Sequence, residues 1–193
     1  MIYERIEILL DLQLDSNIRS IIDQNTCILH FPAGLTVLHE GDNSTSLYIL
    51  LNGIARGYYI DNHGNDITKC FYQKGGMFAY EGLETELPSS FTIECLEDCE
   101  CVEIPYKLMN KVLDMNNEII FDICKYFKRE LHKLESRSMD LVMKNAEERY
   151  CLFCDEYPDV HNRIALKYIA SYIGVRISSL SRIRKHIKKS RLN

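Results

Sequence analysis

Several absences narrow the class of this chain of 193 residues before any motif is considered. No apolar run approaches the roughly 18 residues that a membrane span requires, so no membrane partner is expected. The opening Met1-Ile2-Tyr3-Glu4-Arg5 is acidic within four residues and lacks the basic region of a secretory leader, so a cytoplasmic address is expected. Internal repeats and low-complexity segments are missing. Acidic residues almost vanish near the end. From Asp159 to Asn193 there are nine Lys/Arg against one Asp, a net +8, while the remainder carries 14 basic against 27 acidic residues, a net −13. The overall charge of −5 therefore hides a basic end on an acidic body, the pattern of one polyanion-binding module.

What is present is ordinary for a folded chain: 46% apolar and 26% charged residues, and length enough for one large domain or two small ones. Eight cysteines are many. Without a leader they are expected to be buried thiols rather than disulfides.

The first 24 residues read as helical. Ile2, Ile6, Leu9 and Leu10 share one helical face, and Ile18, Ile21 and Ile22 share another. From about 26 to 104 the texture is short β-rich runs between Gly-containing turns. The runs are 26–31, 35–39, 46–51, 54–60, 66–72, 90–95 and 99–104, and Asp61-Asn62-His63-Gly64 has the residue types of a tight hairpin. Such spacing predicts an antiparallel sandwich or barrel. Pro105 suits the first turn of a helix over 106–113. A longer helix is expected from about 117 to 146 and beyond. Ile120, Phe127, Leu134 and Leu141 lie seven apart on it, Ile123, Cys124 and Leu131 fill the same stripe, and Glu130 and Arg137 interrupt it. The stripe marks Ile120, Ile123, Phe127, Leu131 and Leu134 as a candidate homodimer seam.

Residues 164–189 hold the strongest local signal. Leu166, Ile169, Ala170 and Ile173 form the buried face of one short helix, and Leu180, Ile183 and Ile187 that of a second. Gly174 between them supplies the positive φ of a tight turn. This spacing is that of a helix-turn-helix. The outward face of the second helix carries Ser178, Ser179, Ser181, Arg182 and Lys185, and Arg176 precedes it. Short hydroxyls and an arginine are the groups that read base edges in double-stranded DNA. Lys188, Lys189 and Arg191 are suited to phosphates.

Ile169-Ala170-Ser171-Tyr172-Ile173-Gly174, with Leu180-Ser181-Arg182-Ile183-Arg184, resembles the helix-turn-helix of the cyclic-AMP receptor protein/FNR (Crp/Fnr) regulators. Phe31-Pro32-Ala33-Gly34 through Glu40-Gly41-Asp42, with Leu47-Tyr48-Ile49-Leu50 and Gly53, is similar to the opening of that family's β-roll, and Glu97 to Pro105 to its last strand. The resemblance runs from about 26 to 190 in the family's order. It implies an α+β chain: an N-terminal cyclic-nucleotide-binding-like antiparallel β-roll (1–113), a dimerisation helix (114–146) and a helix-turn-helix domain (147–193). It also implies a homodimer that reads a two-fold symmetric operator and contacts RNA polymerase.

In relatives that bind cyclic AMP, the phosphate cassette offers a glycine, a glutamate and an Arg-Ser/Thr pair, the arginine neutralising the cyclic phosphate. Here Glu81 and Ser90 match, Tyr80 replaces the glycine before the glutamate, Gly82 follows, and Ser89 stands at the arginine position. Tight binding of cyclic AMP is therefore not expected, no cofactor is predicted, and an unknown small-molecule effector stays open. The FNR-type N-terminal cysteine cluster has no counterpart, since Cys27 is the first cysteine. Cys151 and Cys154 make half of a four-ligand site. Two other readings remain: a cupin-like metal-dependent β-barrel enzyme using His30, His39 and His63, and an interaction module that does not bind DNA.

Overall fold

The computed structural model describes residues 1–83, 85 and 87–190. The chain opens with α1 (Ile2–Leu10) and α2 (Ser16–Asn25). One continuous helical stretch was expected here. The chain instead breaks at Asp11, which sits in the left-handed region (φ 52°), and α2 restarts on Asp15. The Asp15 carboxylate accepts from the N–H groups of Asn17 and Ile18, both at 2.9 Å, satisfying donors that a helix start leaves open.

The β-rich stretch folds into β1 (Cys27–Phe31), β2 (Thr36–Leu38), β3 (Ser46–Asn52), β4 (Ala55–Ile60), β5 (Asp66–Tyr72), β6 (Met77–Phe78), β7 (Thr92–Cys95) and β8 (Cys99–Pro105). One sheet runs β1-β8-β3-β6 and the other β2-β7-β4-β5. Strand alternation sets the core. Leu47, Ile49 and Leu51 of β3 and Val102 and Ile104 of β8 lie on one face. That face packs on Ile6, Leu12, Leu14, Ile18 and Ile22 from the opening segment and on Leu108, Val112 and Ile119 downstream. The other face of the same strands brings Leu50 opposite Cys101 in register, both fully buried. Burial of each such side chain stabilises by roughly 1.5–3 kcal/mol.

Helices α3 (Tyr106–Met115), α4 (Asn117–Met143), α5 (Ala146–Glu156), α6 (Leu166–Tyr172) and α7 (Ile177–Ser190) complete the chain. The long helix ends at Met143, short of the 146 expected, because Asn145 caps a new helix: its side chain accepts from the N–H groups of Glu147 and Glu148, while its own N–H donates to the Glu148 carboxylate.

Two compact units result. The first holds residues 1–58 and 71–129. The second holds 59–70, the tip of the β4–β5 hairpin, together with the chain from 130 on. No helix among the described residues is long and apolar enough to cross a membrane.

The thiols do not share one environment. Cys95, Cys99 and Cys101 are buried, and burial pushes the Cys101 thiol up to about 12. Cys27, Cys124 and Cys151 are exposed, against the expectation of burial. Cys27 opens the edge strand β1, and the other two lie on outward helix faces.

Candidate nucleic-acid interface

In the second unit, α6 and α7 meet through an apolar seam. Ile169, Ala170, Ile173 and Leu180 are fully or almost fully buried, whereas Ile183 and Ile187 are half-buried. Between the helices Gly174 takes φ +70°, as its place in the turn requires. A Cβ there would also lie 3.2 Å from Leu141 Cδ2. The Val175 N–H bonds the Ala170 carbonyl at 2.9 Å, closing the last turn of α6.

Two arginines hold this turn, and sequence reasoning gave neither that role. Arg149 donates to the Ile173 carbonyl at 2.8 Å and to the Lys144 carbonyl at 2.5 Å. Arg137 donates to the carbonyls of Tyr172 (2.8 Å), Lys69 (3.0 Å) and Thr68 (3.2 Å). Ser171 adds a further tie to the hairpin tip. Its hydroxyl accepts from the Thr68 N–H at 2.8 Å and donates to the Asp66 carbonyl at 3.2 Å. Arg137 interrupts the apolar stripe of α4 because its guanidinium is committed to these carbonyls.

Arg176, just before α7, and Ser178, Arg182, Lys185, Lys188 and Lys189 on it are exposed, whereas Ser179 and Ser181, expected on the outward face, are half-buried. Arg182 Nη2 lies 3.5 Å from Ser179 Oγ, at the limit of a hydrogen bond, so its fork stays available. The first turn of α7 has no acidic residue. The His186 ring meets Glu147 at 3.2 Å, tying α7 to α5. Arg191 lies outside the described residues.

The cassette residues belong to the first unit. Glu81 is already occupied: Ser90 donates to it through its N–H (2.7 Å) and its hydroxyl (2.6 Å). Ser89 is buried, its hydroxyl donating to the Phe91 carbonyl at 2.7 Å. The backbone at Gly82 runs against Tyr106, where a Cβ would lie 3.1 Å from Cε2, and the Tyr106 hydroxyl donates to the Ala79 carbonyl. The Tyr80 ring packs edge-on against Phe127 at 4.9 Å. Arg56 is buried in the roll, donating to Glu94 at 2.6 Å with its guanidinium 4.3 Å from the centre of the Tyr58 ring, so a carboxylate neutralises it. Strand alternation next to Ala55 and Gly57 gave no sign of this buried pair.

The α4 stripe divides. Ile123 and Phe127 are half-buried against the core of the first unit, whereas Ile120, Leu131 and Leu134 are exposed. His30, His39 and His63 are exposed. Among the described residues no group of three or more His, Cys, Asp or Glu is placed to hold a metal ion. The histidines of a cupin-like centre are therefore not gathered.

Comparison with known proteins agrees with this geometry. Residues 28–116 match the cyclic nucleotide-binding domain family. Over 126 residues the chain is 25% identical to the cAMP-activated global transcriptional regulator CRP of Pasteurella multocida, covering 64% of this chain and 60% of that relative's length. Over 170 residues it is 22% identical to the fumarate and nitrate reduction regulatory protein of Vibrio cholerae, covering 82% of this chain and 68% of that protein. The structure of FixK2 from Bradyrhizobium japonicum superposes with a TM-score of 0.77 at 17% identity, covering 86% of this chain and 85% of that one.

Proposed function

We propose, from the premise that the chain is a member of the Crp/Fnr family of regulators, that it is a cytoplasmic transcription regulator that binds double-stranded DNA as a homodimer and reads a two-fold symmetric operator. In this reading residues 1–113 are a sensor-type domain, 114–146 the dimerisation helix and 147–193 the DNA-binding domain. RNA polymerase is the further partner, and the chain is a regulator rather than an enzyme.

The observation that carries the reading is the two-sided character of α7. Leu180 is fully buried, while Arg176, Ser178, Arg182, Lys185, Lys188 and Lys189 face outward from a helix with no acid in its first turn. Arginine offers a bidentate fork to guanine, the serines offer short hydrogen-bonding groups, and the lysines neutralise phosphates at the far end. The exposed Ile120, Leu131 and Leu134 supply the surface for the second protomer.

Cyclic AMP is not the effector in this account. A bound cyclic phosphate would find a buried serine in place of the arginine and a glutamate already bonded to Ser90. A missing charged hydrogen bond costs about 1.5–3 kcal/mol.

Analytical ultracentrifugation of the protein with a palindromic duplex tests the assembly. Two protomers per duplex are expected. A complex with one protomer, or none at low salt, contradicts the proposal.

A further inference from the structure

Arg184 lies off the outward face of α7. It follows Leu180 by four residues, so the two share one face of the helix, and Leu180 is fully buried. Arg184 is half-buried there, yet among the described residues its guanidinium has neither a carboxylate partner nor a hydrogen bond. Drawing a charge out of water without a partner costs free energy, and a bound anion would offset that cost.

Arg184 lines a cavity of about 610 Å³ whose walls come from α5, from α7 and from the segment after α5. Tyr150 and Cys154 form part of the α5 wall. Burial pushes the Tyr150 hydroxyl up to about 12 and the Cys154 thiol above its usual range, and the Arg184 charge opposes both shifts. The guanidinium therefore stands near these two wall groups. Lys185 and Lys188 add two exposed ammonium groups, neither paired with an acid among the described residues. Against these cations the walls set one carboxylate, that of the exposed Asp155, which pairs with none of them. Ile187 and the Tyr150 ring supply apolar surface beside the charges. A guanidinium fork flanked by ammonium groups is the donor set that holds a phosphate, and the volume suits a small molecule.

We propose that this cavity binds a small phosphate monoester, its phosphate on the Arg184 fork with Lys185 and Lys188 beside it and its organic body against Ile187 and Tyr150. The site shares Lys185 and Lys188 with the DNA-binding reading, but its test needs no DNA, so either can fail alone.

The probe is phenyl phosphate, titrated calorimetrically into the full chain, with phenol as the same body without the charge. Arg184→Gln removes the fork. Lys188→Gln removes an exposed charge, so it remains informative if the first variant fails to fold. Lys167→Gln removes a charge of α6 that is not on the cavity walls. Phenyl phosphate is expected to bind the wild-type chain and to lose about tenfold or more in affinity in Arg184→Gln, since a hydrogen bond to a charged group is worth about a factor of ten or more. In Lys188→Gln the loss should be about two- to fivefold, the usual weight of an exposed ion pair. Lys167→Gln should bind as the wild type does, and phenol should not bind. No binding of phenyl phosphate, unchanged binding in Arg184→Gln and Lys188→Gln, an equal loss in Lys167→Gln, or equal binding of phenol overturns the proposal.

Discussion

Arg137 donates to the Tyr172 carbonyl at 2.8 Å, and its guanidinium lies 4.2 Å from the centre of the Tyr172 ring. The same side chain reaches the carbonyls of Thr68 and Lys69, so one charge joins α4, the end of α6 and the tip of the β4–β5 hairpin. A planar fork over an aromatic face is a geometry that lysine cannot reproduce. Arg137→Ala is expected to cost about 1.5–3 kcal/mol, the usual range for losing hydrogen bonds to a charged group. Arg137→Lys should recover less than half of it. Denaturant unfolding of the three proteins measures both, and a loss below about 0.5 kcal/mol would reduce Arg137 to an ordinary surface residue.

Gly174→Ala should destabilise the second unit by about 1–2 kcal/mol, because a residue with a Cβ pays for the left-handed region. Part of the loss comes from the approach to Leu141 Cδ2. The double variant Gly174→Ala/Leu141→Ala should therefore lose less than the two single losses added. Strict additivity would remove the contact from the explanation.

Arg182→Ala should cost about 1–3 kcal/mol at the operator and relax preference at one base pair. Lys188→Ala should weaken binding evenly across sequences and reduce the salt slope by about one unit. Anisotropy titrations on matched and single-substituted duplexes separate the two. Equal losses that do not depend on sequence would sink the assignment of Arg182 to base reading.

Leu131→Glu and Leu134→Glu place charge on the exposed part of the α4 stripe. Each should shift the protein to monomer in sedimentation and weaken operator binding, while Ile123→Ala, on the half-buried part, should lower stability instead. A dimer that survives both glutamates puts the interface elsewhere.

Calorimetry with cyclic AMP should detect no tight binding. Micromolar affinity in the unmodified protein would mean that the cassette supplies a phosphate partner other than an arginine at position 89.

What could be read in advance follows how local the cause is. Gly174 and the apolar positions on either side of it carry the helix-turn-helix within about 25 residues, and the structure holds that turn as expected. Alternation along β8 puts Cys99 and Cys101 on one face, and both are buried. The strand β6 escaped notice because its two residues, Met77 and Phe78, become a strand only by pairing with Ile49 and Tyr48. The same holds for Ser171. It sits inside the recognised motif, yet its partners Asp66 and Thr68 lie 105 and 103 residues away along the chain. In the cassette, Ser89 and Glu81 were identified by position. Their committed hydrogen bonds to Phe91 and Ser90 depend on the folded turn and could not be seen beforehand.

The most direct test of the central claim is selection from a random DNA library with the purified, ligand-free protein, followed by sequencing. The account predicts an enriched palindrome with half-sites about one helical turn apart, the spacing that two α7 helices of a symmetric dimer impose. Binding without enrichment, whether in buffer or after addition of cell extract to supply an effector, would contradict it.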